Sequence, residues 1–220
     1  MSPQLSGIQW RVLEVLAPIE PHWTLSGGAA LVGFHLGHRT TRDLDLFWIG
    51  RSSLGELRRE VAARLRGAGF EVAELRGGES FACLQVQAAG EMVLVDLVAE
   101  PVGSVEQPES HCLGSTTIQV DAEHEILVNK LCALLHRSEV RDLFDIEALV
   151  AKGGDLSRAL LEAPRKDGGF SALTLGWTLS GWAVADAARA AGFADHADRL
   201  AAFRDRLLQI AVGDRPAAGG

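Results

Sequence analysis

The sequence predicts an α+β protein, a strand-rich first half followed by a helical second half. Two observations carry this. Between residues 24 and 120, short apolar runs with period-two alternation are parted by glycine pairs, the texture of strands and tight turns. From residue 121 onward, apolar residues recur every three to four positions, as they do on the buried face of a helix. The expected layout is an α/β core over 1–120, a helical lobe over 121–213 and a frayed tail over 214–220. At 220 residues, 47% hydrophobic and 23% charged, the chain is long enough to bury a full core.

Leu5, Ile8, Val12, Leu13, Val15 and Leu16 have helical spacing, and Pro18 and Pro21 end that helix. Thr24-Leu25-Ser26 reads as a strand end broken by Gly27-Gly28, with a short apolar helix over 29–36. A glycine pair at a helix start allows close backbone approach and leaves N–H groups unpaired, which suits a phosphate. Asp43 to Trp48 alternates, so Asp43 and Asp45 share one strand face and Leu44, Leu46 and Trp48 the other. Two such carboxylates repel unless a cation sits between them, and a divalent metal is the natural resident. A glycine turn for phosphate followed by an Asp-x-Asp strand for metal is the arrangement expected of phosphoryl or nucleotidyl transfer.

Ser52 or Ser53 is placed to cap a helix over 54–68, with Leu54, Leu57, Val61 and Leu65 inward and Gly67 and Gly69 at its end. Strands follow at 70–75, 81–88 and 92–98, antiparallel through Gly77-Gly78 and Gly90-Glu91. Asp96 is a lone acid in the last of them. A buried carboxylate is costly unless paired, hydrogen-bonded or metal-bound, and the sequence leaves these readings open. Residues 101–115 read as loop and 116–120 as a strand.

Asp121 is placed to cap a helix running to Arg137, with Leu127, Leu131, Leu134 and Leu135 as its apolar stripe and Lys130 beside it. Only Lys130, Lys152 and Lys166 among 21 Lys plus Arg are lysines, so an ammonium here is not this chain's usual surface cation. As a point charge it suits a triphosphate; a lysine whose stem lines the helix flank is the competing reading. Arg141 to Val150 form the next helix, with Asp142 and Asp145 on one side and Arg141 spaced to pair with Asp145. After Gly153-Gly154, helices are expected at 155–163, 173–191 and 196–212, with Trp177 and Trp182 in helix core.

Ser26-Gly27-Gly28-Ala29-Ala30-Leu31 with Arg39-Thr40-Thr41-Arg42-Asp43-Leu44-Asp45 resembles the first motif of the AbiEii/AbiGii toxin family, a branch of the polymerase-beta-type nucleotidyltransferases. The resemblance extends to Asn129–Leu134 and to Arg141-Asp142-Leu143-Phe144-Asp145-Ile146, and thins beyond them. It implies a polymerase-beta-like core, transfer of NMP from an NTP to an acceptor hydroxyl, and two magnesium ions on Asp43, Asp45 and Asp96. It further implies nucleotide contacts from Ser26, Gly27, Gly28, Arg42 and Lys130, with Asp142 and Asp145 near the nucleotide. Many nucleotidyltransferases carry Gly-Ser where this chain has Gly27-Gly28, so a hydroxyl contact to phosphate comes from Ser26 or is absent. Family association with toxin-antitoxin pairs points to an RNA end, tRNA among the candidates, or a protein hydroxyl as acceptor, and to a cognate antitoxin. A small-molecule nucleotidyltransferase and a non-catalytic nucleotide-binding module are the alternatives.

Composition narrows the field. A net charge of -8 disfavours general nucleic-acid binding, although Arg39, Arg42, Arg51, Arg58, Arg59, Arg64 and Arg66 crowd the site. They form either a basic rim or a solvated helix face. No apolar run reaches a membrane span and the first 20 residues lack a signal pattern, so a cytoplasmic location is expected. Cys83, Cys112 and Cys132 lack a C-x-x-C pair and are expected as buried thiols. Cys132 and His136 are half of a zinc pattern without a second half, and no P-loop, dinucleotide fingerprint or nucleophile elbow occurs.

Overall fold

The computed structural model describes residues 5–213, and the expected tail over 214–220 lies outside them. Helix α1 (Gly7–Leu16) starts on a reciprocal cap between Ser6 and Gln9 and buries Ile8, Val12, Leu13 and Leu16. Strand β1 (Thr24–Ser26) turns directly into α2 (Gly27–Ala30), which continues as a π-helical turn (Leu31–His35). The helix thus begins on Gly27 itself, ahead of the expected start at Ala29. Strand β2 (Asp43–Ile49) buries Leu44, Leu46 and Trp48 and leaves the alternate residues half-buried.

Helix α3 (Leu57–Gly67) starts later than expected, and neither Ser52 nor Ser53 caps it. Leu54 donates instead to the Glu79 carbonyl, and its own carbonyl accepts from Leu57, so the chain makes one turn before the helix. Strands β3 (Glu71–Gly77), β4 (Phe81–Ala88) and β5 (Glu91–Glu100) form the expected antiparallel meander. Ala89 and Gly90, both at positive φ, make the second turn, the backbone that a two-residue hairpin loop demands. Strand β6 (Glu109–Leu113) lies where a loop was expected, and pairs antiparallel with β7 (Thr116–Val120). It is a polar edge strand with one buried residue, so it lacks the alternation that marks a strand in sequence.

The seven strands form one mixed sheet in the order β3-β4-β5-β2-β1-β7-β6. The β2–β5 and β1–β7 pairs are parallel and the others antiparallel. One face carries Leu25, Leu44, Leu46, Trp48, Val93, Val95 and Leu97, all buried, and α1 packs against α3 and β5. The opposite face of β2 and β5 carries Asp43, Asp45 and Asp96.

The chain divides into two compact units between Ile126 and Leu127, inside α4 (Glu123–Arg137). The second unit is helical. It holds the rest of α4, then α5 (Val140–Lys152), α6 (Leu156–Lys166), α7 (Ala172–Ser180), α8 (Val184–Ala190) and α9 (Ala197–Gly213). Gly153, left-handed at φ +114°, ends α5, and the Asp155 carboxylate caps α6 by accepting from the Arg158 amide at 2.9 Å. The single helix expected over 173–191 is two, broken at 181–183.

Three side-chain expectations are corrected. Trp177 is 70% exposed rather than core, because Leu175 and Leu179 take the buried side of α7. Cys112 is exposed on β6 and Cys132 half-buried, leaving Cys83 as the buried thiol. Leu135 is half-buried, at the margin of the stripe made by Leu127, Leu131 and Leu134. Among the described residues no helix is long and apolar enough to cross a membrane.

Candidate active site

Strand pairing sets the site. Ser26 on β1 lies opposite Asp45 on β2, Asp45 opposite Asp96 on β5, and Asp96 opposite Cys83 on β4. Residues directly opposite one another in a sheet share a face, with strands about 4.8 Å apart. A line of polar side chains therefore crosses the face away from the core, and Asp43, two residues before Asp45, joins it. At its near end the buried Ser26 hydroxyl donates to the Asp121 carboxylate, whose residue follows β7. The Asp121 amide in turn donates to the Leu25 carbonyl at 2.9 Å. Asp121 thus ties the start of α4 to β1, where sequence alone gave it only a capping role. Because the Ser26 proton goes to Asp121, an anion at this turn would meet main chain rather than that hydroxyl.

Gly27 is required by its backbone and by its neighbour, whereas Gly28 has the tip of a flexible side chain beside it. Gly27 has φ +62°, and a Cβ there would lie 2.2 Å from Asp45 Oδ2. A Cβ on Gly28 would lie 2.9 Å from Arg39 Nη2. The turn therefore runs beneath a carboxylate at one residue and a guanidinium at the next. Gly27→Ala should cost at least about 1 kcal/mol from the backbone alone and should displace the Asp45 carboxylate. Thermal melting together with a transfer assay checks this; an alanine variant with wild-type melting and turnover would contradict it.

Asp96 has the distinctive environment. Its Oδ1 is buried without a hydrogen-bond partner. Burial raises its carboxyl above the ordinary carboxylate range and the nearby Asp43 charge adds to this, while a hydrogen bond from the Cys83 thiol and the Arg76 charge pull the other way. Burial, and then Asp96 itself, push the Cys83 thiol up to about 11. An orphaned buried carboxylate oxygen beside two further aspartates is a hard-oxygen donor set of the kind that takes magnesium. Among the described residues no three His, Cys, Asp or Glu side chains already stand as a metal cluster. Asp45 lies over Gly27, and Asp96 stands opposite Cys83.

A second cluster lies in the helical unit. Lys130 is 7% exposed, and its ammonium donates to Asp142 Oδ1 at 2.7 Å and contacts Asp145 Oδ2 at 2.9 Å. Arg137 adds a two-point contact to Asp142, Nε to Oδ2 at 2.7 Å and Nη2 to Oδ1 at 3.0 Å. Asp142 and Asp145 are buried at 1% and 0% exposure. The two opposed carboxylates hold the Lys130 ammonium in its charged form, outweighing its burial, and the Lys130 and Arg137 charges hold the Asp142 carboxyl below its usual range against its own burial. Arg141 pairs with Glu139 at 3.0 Å. The arginines of α3 are engaged locally: Arg58 with Glu74, Arg59 with Glu56, Arg64 with the Val15 carbonyl and Arg66 with the Val72 carbonyl. For these four the solvated-face reading holds. Arg42 is exposed at the start of β2, where its carbonyl accepts from the Leu94 amide.

A family model described as nucleotidyl transferase AbiEii toxin, Type IV TA system, matches residues 11–210. The chain belongs to this AbiEii nucleotidyl transferase family. A search of the curated proteins finds no match. Among solved structures, the chain is similar to a candidate nucleotidyltransferase from H. pylori, with 18% identity over 94% of this chain and 96% of the other and a TM-score of 0.55. It is also similar to JHP933 from Helicobacter pylori, with 18% identity over 93% and 88% and a TM-score of 0.52. At this identity the likeness establishes the fold: a mixed sheet with flanking helices followed by a helical C-terminal part. Two features of this site were not evident from sequence, the Ser26–Asp121 contact and Cys83 beside Asp96, because both depend on strand pairing distant in the chain.

Proposed function

We propose that the chain is a divalent-cation-dependent nucleotidyltransferase that moves NMP from an NTP to an acceptor hydroxyl on RNA, a tRNA end among the candidates. The observation that carries this is the pairing of Asp45 with Asp96 on parallel strands, with a buried, unpartnered Asp96 oxygen and Asp45 over the Gly27 turn. Asp43, Asp45 and Asp96 are the residues that would hold magnesium, as two ions. When bound, such ions acidify the acceptor hydroxyl and offset the charge on the departing pyrophosphate. The Ser26-Gly27-Gly28 turn lets phosphate approach the main chain, and the exposed Arg42 stands at the entrance to β2 as a cationic contact. In the helical unit, Lys130 is the candidate triphosphate donor, with Asp142 and Asp145 holding its ammonium charged and fixed.

Membership of a toxin family makes a cognate antitoxin the expected protein partner, and the supply of NTP makes the cytoplasm the expected compartment. The test is incubation of the protein with each α-labelled NTP, magnesium and total RNA. Label should appear in one RNA size class with one NTP; label in protein or a small acceptor only would contradict the RNA assignment, and none anywhere would contradict transfer.

Asp96 also yields a pH prediction. Its carboxyl is raised in the folded protein, so the folded state holds that proton more tightly than the unfolded chain. The stability it contributes is present at low pH and is lost as pH rises from the ordinary carboxylate range through the raised folded value. In EDTA, Asp96→Asn should remove this part of the pH dependence and melt above wild type at neutral pH. Melting curves against pH check it; superimposable curves for the two proteins would contradict it.

A further inference from the structure

We propose that Cys83 is a positioning residue for Asp96, donating its thiol hydrogen to the carboxylate so that the buried Asp96 Oδ1 is left aimed at the cation. The inference rests on the cation-binding reading above and adds a residue to it. Three independent features of the sheet support it.

Cys83 is directly opposite Asp96 in the β4–β5 pair, on the same face of the sheet. On the same side of β4, Phe81, Gln85 and Gln87 are half-buried while Cys83 is 2% exposed, so the thiol has little room to rotate away. Beyond it, β3 carries a bulge between Glu74 and Arg76 that takes Leu75 out of the pairing and sets Arg76 opposite Cys83. Leu75 is 51% exposed. Bulges re-aim side chains beside active sites, and this one sets Arg76 on the strand position next to Cys83. Arg76 is itself steadied over the Phe81 ring, 5.6 Å from its centroid.

The resulting cross-strand line is Arg76, Cys83 and Asp96. With the guanidinium on one side of the sulfur, the S–H is the group left to face the carboxylate, and it would hold one Asp96 oxygen. The other has no protein partner and is directed by the first. Groups that hydrogen-bond a metal-binding carboxylate orient it, and their loss typically lowers metal affinity about 10- to 100-fold. Cys83 does this from a neighbouring strand without touching nucleotide or cation.

The test is titration of the full chain with Mn2+ alone, without nucleotide, read by electron paramagnetic resonance. Cys83→Ala should bind Mn2+ about tenfold more weakly than wild type while keeping its fold by circular dichroism. Cys83→Ser, which keeps a donor, should return affinity close to wild type. If the alanine variant does not fold, Cys83→Val fills the space without a donor and carries the same expectation. Asp96→Asn provides the control. Should Asp96→Asn lose Mn2+ while Cys83→Ala binds it as wild type does, the role of Cys83 is overturned and the cation site stands. A serine variant as weak as alanine also overturns the donor role. Wild-type Mn2+ affinity in Asp96→Asn would instead overturn the cation site itself.

Discussion

Lys130→Met should lower the stability of the helical unit by about 3–5 kcal/mol, because it leaves the Asp142 and Asp145 carboxylates buried without the ammonium they share. For a chain of this size that corresponds to a fall in melting temperature of roughly 6–20 °C. The methionine keeps the apolar stem, so the loss is electrostatic rather than a cavity. Adding Asp145→Asn should recover much of it, since Asp142 retains the two-point contact from Arg137. That double variant also isolates the proposed contact with nucleotide. If Lys130 donates to the triphosphate, the folded double variant should bind a non-hydrolysable NTP about tenfold to hundredfold more weakly, the equivalent of about 1.5–3 kcal/mol for a charge-assisted hydrogen bond. Calorimetric titration checks this, and unchanged affinity would leave the lysine a purely structural ion-pair partner.

The second large effect is expected at β2. Asp45→Asn should lower turnover about a thousandfold, because a cation's stabilisation of transferring phosphoryl groups is worth several kcal/mol and each 1.36 kcal/mol is a factor of ten. Asp43→Asn should act in the same direction. Neither should destabilise the cation-free protein, since each removes one of several like charges on that sheet face. Melting in EDTA, measured beside the transfer rate, separates the two effects. A variant that loses activity by unfolding would contradict this account of the acids.

The parts of the fold legible in sequence were those with a local signal. The β2 alternation put Asp43 and Asp45 on one face because Leu44, Leu46 and Trp48 had to face the core, and all three are buried. The β3–β5 meander followed from its glycine turns. Strand β6 was not legible, because an edge strand with an exposed polar sequence needs no apolar face. The break between α7 and α8 was hidden because Gly181 and Ala183 sit within a run that keeps helical spacing. At the site, Lys130 and the Asp142–Asp145 pair each stood out as charges on apolar helices, but their contact requires α4 and α5 to be placed side by side. Cys83 was read only as a buried thiol, since its register with Asp96 and the bulge that brings Arg76 to it are properties of pairing.

The central claim is that the three aspartates hold the cation on which transfer depends, and one titration tests it most directly. Protein stripped with EDTA is given α-labelled NTP and acceptor RNA, and single-turnover label transfer is followed as magnesium is returned. The account predicts no transfer in EDTA, a saturable return with magnesium in wild type, and no return in Asp45→Asn at the same concentrations. Transfer that persists in EDTA, or an Asp45→Asn curve that overlays wild type, would contradict it.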